Sequence, residues 1–438
     1  MHKNLSIHLA PSLLKSKNEK ILKRRFTIMN SGDTAWVLTA SALVLLMTMP
    51  GLAFFYGGLV RRKNVLSILM QCFIIVCIVS LQWVLFGYSL AFGPDFHGII
   101  GTLEWAGLAG VGAAPNSNYA ATIPHSVFMI FQAMFAVITP ALIIGAYAER
   151  VKFPAFLLFT LLWATFVYDP LAHWVWGTGG WIKSLGGLDF AGGIVVHVSS
   201  GISALVLALL LGKRVGYNHK PIRPHNLPFT VLGAALLWFG WFGFNAGSAL
   251  AADGLAATAF INTNTATAAA GLAWALIEWR HNGSPTILGT ATGAVAGLVA
   301  ITPACGFVNP MNAIFIGIIV ALVCYTAVAV IKGKLGYDDS LDAFGVHGVG
   351  GTVGTIATGL FAEKAVNAAG ADGLLFGNLH QFGIQCLMLV VTIAFAAIMT
   401  FVIFKIVDAA IGMRVEEKNE IIGLDLTQQS EAAYTVIE

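Results

Sequence analysis

Long apolar runs recur along this chain, with short polar clusters between them. A helix needs roughly 20 mostly apolar residues to cross about 30 Å of hydrocarbon. Eleven stretches read as such spans: Thr34–Val60, Val65–Phe92, Ile123–Ala146, Phe153–Trp174, Phe190–Leu211, Phe229–Leu250, Leu255–Trp279, Thr286–Thr302, Ala313–Ile331, Ala343–Phe361 and Phe382–Phe404. The eighth is short and glycine-rich, delimited by Arg280 and His281 before it and Pro303 after it. Only 10% of the 438 residues are charged and 57% are hydrophobic, whereas soluble domains carry about a quarter charged residues. The pattern predicts an all-α membrane protein with eleven transmembrane helices. The net charge of +3 is small and says nothing about nucleic acid, which is not expected as a partner.

The polar clusters set the expected orientation. Alternate loops carry Arg61, Arg62, Lys63, Arg150, Lys152, Lys213, Arg214, Lys220, Arg223, Arg280, Lys332 and Lys334, whereas the other set carries only Lys183 and Lys364. Lysine and arginine concentrate on the cytoplasmic side of membrane proteins. This places the N-terminus outside and the C-terminus in the cytoplasm, in a cell (inner) membrane. The first 28 residues are basic, conflict with that side and lack the apolar core of a signal peptide. Residues 1–31 are therefore set aside as an N-terminal extension, with 32–408 as the transmembrane domain and 409–438 as a cytoplasmic tail.

An internal repeat is visible. LDFAGGIVVHVSSG (Leu188–Gly201) opens the fifth segment and LDAFGVHGVGG (Leu341–Gly351) opens the tenth. These two segments run in opposite directions, which is the mark of an inverted repeat: five helices, five more, and an eleventh appended. His197 and His347 occupy matching places within it. An ionisable group at membrane depth is a functional candidate by default, although a lone core histidine is often satisfied by a helix carbonyl. Cys72, Cys77, Cys305, Cys324 and Cys386 have no metal-ligand spacing and read as small core residues. No metal or cofactor is expected. No carboxylate pair lies deep in a span and no lysine sits at mid-membrane for a Schiff base, so an enzyme or a retinal protein is not expected. Aromatics gather in GWFGFNAGSA (Gly240–Ala249), at Phe131 and Phe135 one turn apart, and at Trp176.

Together these motifs resemble the ammonium transporter, methylammonium permease and Rhesus family, most closely its bacterial ammonium transporters. The likeness covers residues 32–438. It is carried by PGLAFFYGGLVRRKNVLS (Pro50–Ser67), GAYAERVKF (Gly145–Phe153), DFAGGIVVH (Asp189–His197), GKRVGY (Gly212–Tyr217), PHNLP (Pro224–Pro228), ITPACG (Ile301–Gly306), GWFGFNAGSA and DAFGVHGVGG. The resemblance implies the ammonium transporter fold in a homotrimer, with one pore per subunit. It implies an outer recruitment site at Trp176, Phe131 and Ser248, a stacked gate at Phe135 and Phe244, and a twin-histidine pore at His197 and His347. Asp189 is implied as a supporting acid, with Trp241, Tyr168 and Thr302 at lining or vestibule positions. It also implies a tail that packs beneath the trimer and a PII-type signal protein docking on the cytoplasmic face. The segment from Trp176 to Asp189 is one residue longer than the family pattern. An ammonium sensor and a Rhesus-like gas channel are the alternatives.

The chemistry suits such residues. A tryptophan face attracts a small cation by about 0.5–2 kcal/mol, and a hydroxyl adds one acceptor. Carrying the charge through dry hydrocarbon costs tens of kcal/mol by Born estimates, a cost that neutral ammonia avoids. Potassium cannot shed a proton, so deprotonation selects where size does not. Neutral imidazoles each offer a donor and an acceptor.

Overall fold

The computed structural model describes residues 29–217, 219 and 222–434; most of the predicted N-terminal extension lies outside them. Helices form in every one of the eleven predicted segments. They are α1 (Ser31–Leu59), α2 (Arg62–Phe92), α3 (His125–Tyr147), α4 (Phe153–Leu185, with a turn at 177–180), α5 (Gly193–Leu211), α6 (Leu227–Gly247), α7 (Gly254–Asn282), α8 (Ile287–Ile301), α9 (Pro310–Leu335), α10 (344–361) and α11 (Leu379–Ile411). Among the described residues, eight are long and apolar enough to cross a membrane. The other three are α7, which carries a run of asparagine and threonine, α8, which has 15 residues, and the glycine-rich α10. α11 extends to Ile411, past its predicted end at Phe404.

Sequence chemistry sets the helix ends. The Asn30 side chain accepts from the amides of Gly32 and Asp33 and starts α1, satisfying donors that a first turn leaves unpaired. Asp253, Thr286, Asn309 and Asn378 do the same for α7, α8, α9 and α11. Several helices contain a wide π-type turn, and two of these turns, Gly193–Val198 and Phe344–Gly348, carry His197 and His347. π-Type turns inside α-helices concentrate at functional sites.

α5 and α10 cross backbone to backbone. A Cβ on Gly201 would fall onto the main chain of Gly348, and one on Gly351 would lie 3.0 Å from Gly193 O and from His197 Cβ. This close approach brings the two histidine turns together.

Both histidine-bearing elements start on an aspartate, in a register that differs from the Leu-Asp match. Asp189 takes the amides of Gly192 and Gly193 on Oδ1 at 2.8 and 2.6 Å, and those of Ile194 and Val195 on Oδ2 at 2.9 and 3.2 Å. The residue doing this for α10 is Asp339, which accepts from Ala343 (3.1 Å) and Phe344 (2.8 Å). Both acids stand eight residues before their histidine. Asp342 instead has a left-handed φ of 61° and pairs with Lys332 at 2.6 Å.

One end of the bundle is a network of buried charge. Glu149 accepts from Arg61 N and Nε at 2.6 and 2.7 Å and lies 3.4 Å from Arg214 Nη1. Asp338 accepts from Arg214 N, Nε and Nη2 at 2.8, 2.9 and 2.8 Å. Burial pushes the Glu149 carboxyl up, but Arg214 and Arg61 outweigh it and hold the group below its ordinary value. The tail docks onto this network. Met413 O accepts from Lys152 N, and Arg150 O from Val415 N. Glu420 accepts from Val215 N (2.6 Å) and Arg414 Nη2 (2.9 Å), and Asp425 from Ser67 N (2.8 Å).

Removing one partner of a buried pair costs about 3–5 kcal/mol, so Glu149→Gln is expected to lower thermal stability at pH 7 by that order. A depressed carboxylate contributes above its unfolded pKa, near 4, and that contribution is lost as pH falls through the folded value. Melting curves of wild type and Glu149→Gln should therefore converge below about pH 4. A gap that persists in acid would mean the pair is not the source.

Candidate functional site

At the end of the bundle opposite the charge network lies a pocket of about 170 Å³, bounded by Trp176, Phe135, Gln132, Ser248, Tyr119 and Lys183 among others. Trp176 follows from the end of the long part of α4, and its Nε1 donates to Asp189 O at 2.9 Å. The Ser248 hydroxyl donates to Phe244 O one turn back, at 2.8 Å. That bond uses its proton and leaves oxygen lone pairs for the pocket, the polarity a cation needs. Phe131 is fully buried and is not among the lining residues; it packs edge-on behind Phe135 at 5.0 Å.

The pocket floor is closed. Phe135 of α3 and Phe244 of α6 stack with centroids 4.2 Å apart and planes 24° from parallel, and Trp176 meets Phe135 edge-on at 5.9 Å. Beneath this pair, Phe244 and Trp241 lie 6.1 and 5.3 Å from His197. His197 and His347 are nearly parallel, 14° apart, with centroids separated by 5.3 Å. Both rings are buried. Neither nitrogen of His197, nor Nδ1 of His347, has a hydrogen-bond partner in the protein, although buried polar atoms usually do.

Below His347 a cavity of about 60 Å³ is bounded by Tyr56, Leu59, Leu341, Asp342 and the histidine itself. It shares Leu59, Leu288, Leu341 and Asp342 with a vestibule of about 520 Å³ at the charged end. Outer pocket, aromatic stack, histidine pair, inner cavity and vestibule thus follow one another through the bundle.

The structure brings together Trp176, Ser248, Phe135, Phe244, His197, His347 and Trp241. Thr302 supports Trp241, accepting from its Nε1 at 2.9 Å while donating to Leu298 O. The Asp189 carboxylate faces its own helix start, and only its carbonyl reaches Trp176. Tyr168 is fully buried against Trp83, 6.1 Å away, and lies outside the outer-pocket lining. Sequence reading missed Gln132, whose buried Oε1 has no partner and which lines the outer pocket. An amide within an otherwise apolar helix was the available signal. It also missed Asp339, concealed by the nearby Leu-Asp pair.

The Ammonium Transporter Family profile matches residues 35–434. The chain is 58% identical over 406 residues to an ammonium transporter of Bacillus subtilis, covering 93% of this chain and 99% of that one. It is 49% identical over 408 residues to ammonium transporter Amt1 of Archaeoglobus fulgidus, covering 93% and 100%. Among solved structures, Candida albicans Mep2 superposes with a TM-score of 0.84 at 38% identity, over 89% of this chain and 87% of that one. A structure titled Sensor Amt Protein superposes with a TM-score of 0.83 at 31% identity, over 91% and 98%. Together with its membrane-length helices, these end-to-end matches identify a multi-pass membrane protein that belongs to the ammonium transporter family.

Proposed function

We propose that this chain transports ammonium, recruiting the cation in the outer pocket and passing neutral ammonia along the histidine pair. The observation that carries the reading is the pair of buried imidazoles with unpartnered nitrogens, set in an apolar passage behind a stacked aromatic floor. Ammonium rests against Trp176 with Ser248 as acceptor. Rotation of the Phe135 and Phe244 rings then opens the floor. Beyond it the passage is walled by Trp241, Phe244 and the two buried imidazoles, where a bare cation is costly, so the proton passes to water on the pocket side of the floor and ammonia exchanges hydrogen bonds with His197 and His347. The charged end with its docked tail faces the cytoplasm, since basic loops stay inside. Liposome uptake and current under ammonium and under potassium test the reading; equal potassium flux would overturn it.

The outer site tunes affinity. Trp176→Leu removes the cation–π face, worth about 0.5–2 kcal/mol, so the half-saturating ammonium concentration should rise roughly 2- to 30-fold with a smaller loss at saturation. A saturation curve identical to wild type would make Trp176 an interface anchor only.

The likeness to the structure titled Sensor Amt Protein favours one second reading, binding with little flux. The liposome measurement separates the two. We also assign a homotrimer and a PII-type partner on the charged end, where the tail is docked. Co-purification of a PII protein with full-length protein, and its loss on truncation after Arg414, is the expected result; retention by neither form overturns the assignment.

A further inference from the structure

The outer pocket holds a cation in its own wall. Aromatic, amide, hydroxyl and aliphatic groups make up the rest of the lining, and Lys183 is the one charged side chain among the residues that form it. Lys183 sits on the short helix Trp181–Leu185 that ends α4. Its Nζ donates to the Trp176 carbonyl at 2.8 Å and stands 5.7 Å from the centroid of Tyr119. Tyr119 is itself fixed, donating to Phe92 O at 2.6 Å and accepting from Thr178 N at 3.1 Å. The ammonium group of Lys183 is thus anchored beside the tryptophan that the recruitment reading assigns to the substrate.

Two acids near this end of the bundle are bonded to groups other than Lys183. The Asp189 carboxylate is occupied by four backbone amides. Asp95 is engaged by Gly98 N and His173 Nε2. Among the described residues no ion pair includes Lys183. A fixed positive charge within a few ångströms disfavours a second cation. At an exposed site that repulsion is screened by salt, over about 8 Å at physiological ionic strength.

We propose that Lys183 is an affinity-setting residue whose charge weakens the hold of the outer pocket on ammonium and so shortens the stay of the cation at the floor. The inference rests on the recruitment reading above. The aromatic face and the Ser248 oxygen attract; Lys183 opposes them. The net effect is a weak site, and a conduit needs sites that release what they bind.

The bland account is that Lys183 only pins the Trp176 backbone through its hydrogen bond. Charge and pinning separate experimentally. Full-length protein in liposomes is compared as wild type, Lys183→Gln, Lys183→Arg and Trp176→Leu, reading half-saturating ammonium at low ionic strength and in added choline chloride. Lys183→Gln is expected to lower the half-saturating concentration roughly three- to tenfold at low ionic strength, with the difference shrinking below about twofold in high salt. Lys183→Arg keeps the charge and should behave as wild type. An unchanged or raised half-saturation in Lys183→Gln overturns the proposal, as does a lowered value that is indifferent to salt and not restored by arginine. Trp176→Leu reports on the recruitment reading alone. If it leaves half-saturation unchanged, that reading fails, and the proposal that depends on it falls with it. If it raises half-saturation while Lys183→Gln does nothing, only the role of Lys183 is lost.

Discussion

Alanine at both His197 and His347 should reduce selective ammonium flux roughly 30- to 140-fold while leaving the protein folded. Each imidazole is buried in a passage where Trp241 and Phe244 flank His197, and His197 has no partner in the protein for either nitrogen. A hydrogen bond is worth about 1 kcal/mol net, somewhat more where water is absent. Losing two or three of them raises the barrier by about 2–3 kcal/mol, and each 1.4 kcal/mol is tenfold. The rings are not part of a satisfied polar network, so their removal strands no buried donor or acceptor. Detergent-solubilised double mutant should keep the size-exclusion profile of wild type. Initial uptake rates in liposomes, with ammonium and potassium compared, supply the check. Undiminished ammonium uptake with potassium still rejected would remove the pair from the mechanism.

The second large effect belongs to a residue with no chemistry. A Cβ on Gly201 would fall onto the backbone of Gly348, and neither main chain can yield without moving a whole helix. Overpacking a core costs about 1–3 kcal/mol where side chains can adjust; here the obstacle is main chain, so Gly201→Ala should fall at or above the top of that range. The expected result is a lower unfolding temperature by fluorescence-detected size exclusion and little or no transport. Gly383→Ala on α11 is the control, because a Cβ there meets nothing within 4 Å, and it should stay within about 0.5 kcal/mol of wild type. Equal behaviour of the two variants would show that the crossing has room for a methyl group.

Much of this architecture was legible from residue order. Apolar runs of membrane length located the eight helices that are long and apolar enough to span, because hydrocarbon thickness leaves little choice of span, and helices also form in the three weaker segments. Two histidines in mirrored surroundings stood out because charge-capable groups are rare at that depth. What escaped depended on three dimensions. Asp339 was hidden because a text match aligned Leu-Asp with Leu-Asp, whereas the chain aligns by distance to the histidine. Gln132 and Lys183 join the outer pocket only after α3 and the end of α4 have packed beside α6. That the tail packs was implied by the resemblance, but its partners were not legible: Glu420 and Asp425 accept from the Val215 and Ser67 amides, more than 200 residues away in sequence.

The wide turns at Gly193–Val198 and Phe344–Gly348 have a consequence for how this pore can change. An α-helix advances about 100° per residue, and a π-type turn takes up one residue more than an ordinary turn. With Asp189 and Asp339 holding the helix starts, the direction in which each imidazole points is written in the length of the chain between acid and ring. Substitution can alter the floor, the pocket and the vestibule while leaving that direction untouched. An insertion or a deletion between acid and ring turns the imidazole by about 100° per residue, so libraries built from point changes in the floor, pocket and vestibule leave unsampled the property that the eight-residue intervals specify.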